Sequence, residues 1–131
     1  MNRTAVNPWP WSLNFGFNQA EIIEKTSQQL ICSGQTSVDA EGNPQHGGDM
    51  RAQVTQALDN LETVLKHAEM TLGNVVHLRI YTTDIDEAMK HFDILGARFG
   101  AVGVTAPMSL LGVSRLALPP LMIEIEATAM A

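Results

Sequence analysis

The chain is 131 residues long, 45% hydrophobic and 17% charged, with a formal net charge of −6. That length fits one ordinary domain, and the composition is globular rather than disordered. The eight Lys and Arg residues form no run, so a phosphate-tracking basic stripe is excluded and no nucleic-acid partner is expected. No apolar stretch approaches the ~20 residues that span a bilayer, and no signal-peptide pattern opens the chain, so the expectation is a cytoplasmic protein that does not enter a membrane. Cys32 is the single cysteine, which excludes a disulfide framework and a cysteine metal cluster.

Residues 1–14 contain Asn7-Pro8-Trp9-Pro10-Trp11-Ser12 and are predicted to form an extended arm, because the prolines oppose helix. Trp9 and Trp11 need cover, and they either lie over a groove or wall a ligand pocket. Phe15 to Glu24 reads as a strand, Lys25 to Gln28 as a turn and Gln29 to Ser33 as the returning strand of a hairpin. Asp39-Ala40-Glu41-Gly42-Asn43-Pro44 is turn chemistry.

Asp49 is a good N-cap for a long helix whose buried stripe is Val54, Ala57, Leu58, Leu61, Val64, Leu65 and Ala68. Arg51, Gln56, Asn60, Glu62 and Lys66 are assigned to its wet face. The helix should stop before Gly73-Asn74. Val75 to Thr82 alternates as a strand, with His77, Arg79 and Tyr81 opposite Val76, Leu78 and Ile80. Asp84, with Glu87 three residues on, predicts a capping box and a second helix that runs to Gly100.

Two closing strands follow, Thr105 to Leu116 and Leu121 to Ala129, separated by a turn at Pro119-Pro120. In the last one Ile123, Ile125, Ala127 and Ala129 face one way, and Met122, Glu124, Glu126 and Thr128 the other. The element order predicts one α/β domain over 1–131 with a mixed sheet and both helices on one face. The open sheet face would carry His77, Arg79, Tyr81, Ser114, Glu124 and Glu126, where Arg79 or Arg115 could balance the glutamates in an oligomer.

Dinucleotide, P-loop, zinc-protease and nucleophile-elbow motifs are absent, and His46, His67, His77 and His91 have no metal-ligand spacing, so no metal site is expected. Cys32, between Ile31 and Ser33, reads as a buried small hydrophobe rather than a nucleophile. Ser33 either bonds its own backbone or donates to a ligand where its strand opens into Gly34. Glu124 is a surface or ion-paired glutamate, or a general acid/base if burial and Glu126 raise its pKa.

Five segments in register carry a resemblance to a known family: Cys32-Ser33-Gly34-Gln35, Gln56-Ala57-Leu58-Asp59-Asn60-Leu61, Tyr81-Thr82-Thr83-Asp84, Ser109 to Leu116, and Ile123-Glu124-Ile125-Glu126-Ala127. Together they resemble the Rid family, the YjgF-type reactive-intermediate deaminases also called L-PSP endoribonucleases, from about Phe17 to Ala129. The resemblance implies a chorismate-mutase-like α/β fold and a homotrimer with a central β-barrel and clefts between subunits. It implies hydrolysis of enamines and imines to a keto product and ammonia, without a cofactor.

Carried over residue by residue, the family's strand-end serine and glycine fall on Ser33 and Gly34, and its water-positioning glutamate on Glu124. Its cleft tyrosine falls near Phe17, and its second-helix asparagine around Phe92 or Asp93. The family's carboxylate-gripping arginine falls on Met108, between Pro107 and Ser109, and a thioether cannot replace a bidentate guanidinium. The implied cleft of Phe17, Met108 and Ser109, with Trp9, Trp11 and Leu110 as further candidates, suits a neutral apolar or aromatic small molecule. The alternatives to a hydrolase are a non-catalytic trimeric binding protein and, opposed by the −6 charge, an endoribonuclease.

Overall fold

The longest helix, α1 (Met50–His67), forms where its apolar residues recur at helical spacing, and Asp49 caps it by accepting the Ala52 amide at 3.0 Å. Val54, Ala57, Leu58, Leu61 and Leu65 are fully buried along one side. The helix ends at His67, sooner than its sequence suggests. Glu69 takes a left-handed φ of 57°, so that its own amide reaches Lys66 O and the Met70 amide reaches Leu65 O at 2.9 Å. This is a Schellman closure with glutamate in the usual glycine place, and buried Met70 completes it from the apolar side.

The computed structural model describes residues 1–131. Five strands make the main sheet: β3 (Gln29–Ile31), β4 (Gln35–Thr36), β5 (Val75–Thr82), β6 (Met108–Gly112) and β7 (Ile123–Met130). Their order is β3-β7-β5-β6, with β4 also on β7. Only β5–β6 is parallel, so the sheet is mixed as predicted. Leu78, Ile80, Ile123, Ile125, Ala127 and Ala129 pack beneath α1. The opposite face carries His77, Arg79, Tyr81, Glu124, Glu126 and Thr128 and has no layer over it in one chain. Ser114 is not part of that face, because β6 ends at Gly112.

The hairpin expected from Phe15 to Ser33 does not form. β2 (Ala20–Glu24) pairs instead with β1 (Asn2–Val6) in a separate two-stranded sheet, while β3 pairs with β7. The arm over residues 1–14 is thus only partly a loose extension. Residues 10–15 form a 3-10 turn that starts on Pro10, a position where a helix has no use for the missing N–H. Ser27 and Gln28 amides both bond Ala131 O, which steers the chain across to β7 rather than back along β2.

Arg3 ties the two sheets together. It grips Glu21 with two hydrogen bonds of 2.7 and 3.2 Å and donates to Gly73 O and Val75 O at 3.0 and 2.6 Å. The Glu21 side chain is 4% exposed. Arg3→Met strands that carboxylate and is expected to destabilise the fold by about 2–3 kcal/mol, below the cost of a fully dry pair because Arg3 keeps some water. A urea midpoint within error of wild type would contradict this clamp.

The second predicted helix is two: α2 (Ile85–Met89) and α3 (Asp93–Ala101). Asp84 caps α2 through the Glu87 amide, but the Glu87 carboxylate bonds His91 and Lys90 rather than closing the box. Of Ile85, Ala88, Met89, Phe92, Leu95 and Phe99, which recur at helical spacing along this stretch, only Ala88, Leu95 and Phe99 are buried, leaving Met89 and Phe92 free to face a pocket.

Candidate functional site

β7 places Glu124 opposite Tyr81 on one side and Thr36 on the other. Its side chain lies directly across the backbone of Gly34. A Cβ added at Gly34 would sit 2.4 Å from Glu124 Cδ and 2.7 Å from Oε2. Only glycine allows this approach, and the reason is contact rather than backbone strain. Burial, then the nearby Glu126 charge, pushes the Glu124 carboxyl above the ordinary glutamate range.

Glu126 has a different environment. Tyr81 donates to its Oε1 at 2.8 Å and Arg79 at 3.2 Å. The same contact raises the Tyr81 pKa, while burial and then Arg79 lower that of His77. Of the two carboxylates on this face, Glu126 is committed to an ion pair and Glu124 is available. Arg79 thus balances one glutamate, whereas Arg115 donates to Leu116 O and Ala117 O beside it.

Three amides on α1 hold the Glu124 environment, and sequence reasoning missed them. Asn60 donates to Thr36 O and Val38 O at 2.8 and 3.0 Å, fixing β4, and Gln56 donates to Asn60. Fully buried Gln53 donates to His46 O and Pro120 O and accepts the Met122 amide at 2.8 Å, just before β7 begins. Asn60 therefore faces backbone carbonyls, not the water assigned to it, and Gln56 steadies it. Their spacing of three and four residues along one helix side was the available signal.

A second constellation sits at the outer edge strand. Trp11, Phe15 and Phe17 from the N-terminal turn, Met89 and Phe92 from α2 and its exit, and Met108 and Leu110 from β6 line a cavity of about 410 Å³. Trp11 meets Phe17 edge-to-face at 5.9 Å. Buried Asn18 anchors Phe17 through Thr105, its amide on the backbone carbonyl and its side chain on Oγ1. Trp9 is outside this lining and 61% exposed, so Trp11 walls the pocket and Trp9 does not. Asp93 turns away to a bidentate pair with Arg51 at 2.9 Å.

The two constellations lie on opposite faces of the sheet. Met108 is in register with core-facing Leu78, and Glu124 with Tyr81, three residues further along β5. Ser109 pairs with Arg79 on the Glu124 face, so it is not a neighbour of the Met108 side chain in the pocket. Ser33 is exposed beside Gly34, and Cys32 is buried with its thiol pKa raised by that burial. Within one chain, Gly34, with Ser33 before it, meets Glu124 on one side of the sheet, and Phe17 and Met108 line the cavity on the other.

The profile of the endoribonuclease L-PSP family matches residues 15–131. The chain belongs to this family. A Rid protein of Yersinia pestis, described as YyfB of unknown function, has 38% identity, complete coverage of both chains and a TM-score of 0.88. The YjgF gene product of E. coli has 27% identity over 87% of each chain, with a TM-score of 0.69. A RutC family protein of Leuconostoc mesenteroides is 30% identical over 115 residues, 87% of this chain and 86% of the relative. Rid membership thus agrees with the α/β domain and mixed sheet seen here. No helix of this Rid protein is long and apolar enough to cross a membrane.

Proposed function

We propose that this protein hydrolyses an enamine or imine lacking a carboxylate, in a cleft that pairs the Glu124 half-site of one subunit with the Phe17–Met108 half-site of another. The observation that carries it is Glu124, pressed onto Gly34 with a raised pKa and no ion pair, while its neighbour Glu126 is paired. The two half-sites face opposite sides of a sheet whose open face is uncovered, and Ile31 beside Ser33 is 76% exposed. Association of three copies would cover both.

The chemistry needs only water. An enamine first gains a proton at carbon and loses one from nitrogen, which leaves the neutral imine. Glu124 takes a proton from water as the water oxygen bonds the imine carbon, then returns it to nitrogen. Transfer of the hydroxyl proton of the resulting carbinolamine to nitrogen through the same carboxylate breaks the C–N bond as C=O forms, and ammonia and a carbonyl product leave. Ser33 would hydrogen-bond the polar end of the substrate, and Ser109 lies on the Glu124 face within the same scheme. A small-molecule substrate also fits the charge pattern better than RNA. Four of the five arginines are already paired with carboxylates, which leaves no basic track.

Met108 sets the specificity in this scheme. Ammonia release should be faster from uncharged imines than from freshly generated 2-aminoacrylate. No ammonia above the buffer rate from any member of such a panel would refute the hydrolase. Met108→Arg should raise kcat/KM on 2-aminoacrylate about tenfold or more, since a buried guanidinium–carboxylate contact is worth ~2–5 kcal/mol. The all-apolar lining of the pocket favours a second reading, a protein that binds a neutral ligand without turnover. A ligand-dependent rise in Tm with no product would select it.

A further inference from the structure

Behind the Met108 pocket lies a second, smaller cavity of about 130 Å³. The two share Phe15, Phe92 and Met108 as common walls. Its remaining lining is Leu95, Phe99 and Val104 from the core, Gly16 and Thr105, and two glycines of α3, Gly96 and Gly100. Glycine is a poor residue inside a nine-residue helix. Packing does not demand it here, because a Cβ added at either position meets no atom within 4 Å. The missing side chains leave an open niche beside Leu95, Phe99 and Val104, and apolar space of this size accommodates one aromatic ring.

We propose that this chamber is a specificity subsite that takes a ring-sized apolar arm of the ligand, with Gly96 and Gly100 setting how far the arm reaches. This rests on the pocket reading above and adds the substrate class: an uncharged imine or enamine with an aryl arm, whose C–N end points out toward the Glu124 half-site of the neighbouring subunit. Met108 then acts as the wall between ring and reacting carbon, rather than only as a lost arginine.

Fluorobenzene followed by ¹⁹F NMR tests the subsite without any need for turnover. Saturable binding to wild type is expected, weakened at least tenfold in Gly96→Leu, which fills the chamber. Gly96→Ala should fall between the two, and decides the matter if the leucine variant does not fold. Ala97→Leu adds the same bulk to α3 outside this lining and should bind as wild type does. Absence of saturable binding to wild type, or equal affinity in Gly96→Leu and Ala97→Leu, overturns the proposal. Ring binding without ammonia release from any imine would defeat the hydrolase while upholding the subsite.

Discussion

Glu124→Gln is expected to lower kcat/KM on a responsive uncharged imine by ~10²–10⁴-fold, the usual worth of a positioned general base. Glutamine keeps the shape of the side chain over Gly34 but cannot take the proton from water. The wild-type pH profile should show an acid limb above the ordinary glutamate range, because burial and Glu126 disfavour the charged form. Stability should move the other way. A carboxyl with a raised folded-state pKa contributes stability below its unfolded pKa and loses it as pH rises through the folded value. Glu124→Gln should therefore raise Tm at pH 7, and the gain should vanish in acid. A variant with wild-type rate, or with no Tm gain at neutral pH, would remove Glu124 from this role.

Gly34→Ala is expected to cost about 10²-fold in kcat/KM with little change in Tm. The new methyl would overlap Glu124 Cδ, Cγ and Oε2, with the nearest at 2.4 Å. Gly34 does not need a left-handed backbone, so alanine fits the main chain, and the end of a flexible side chain is what gives way. A displacement of about 1 Å at a catalytic group can cost ~10²-fold. Because both substitutions act on one group, the double variant with Glu124→Gln should be no slower than Glu124→Gln alone. A full second loss in the double variant would mean that Gly34 contributes by another route.

How much of this was legible in the sequence depended on whether a feature is periodic or relational. β5, β7 and α1 repeat with clear periods, so their buried and open faces were readable residue by residue. The partner of β2 was not readable, because strand content says nothing about which edge it meets. That choice fell to Arg3, far off in sequence, and to Ala131 O. The break between α2 and α3 was hidden because Met89 and Phe92 fit a helical stripe equally well whether they meet core or cavity. For the candidate site, family resemblance pointed to Gly34, Glu124 and Met108. It could not reveal that Met108 and Ser109, adjacent in sequence, serve opposite faces, although strand alternation required it. Gln53, Gln56 and Asn60 were missed because an amide on a helix carries the same letter whether it meets solvent or a carbonyl.

The separation of Met108 from Glu124 by the thickness of one sheet has an evolutionary consequence. A substitution at the edge pocket touches neither the Gly34 contact nor the amide supports beneath it, since the pocket is lined by none of Gly34, Glu124, Gln53, Gln56 and Asn60. Under the proposed hydrolysis, ligand preference can then drift while the Glu124 side stays under constant selection. A lineage could pass from charged to neutral ligands through single changes at position 108, without an inactive ancestor in between.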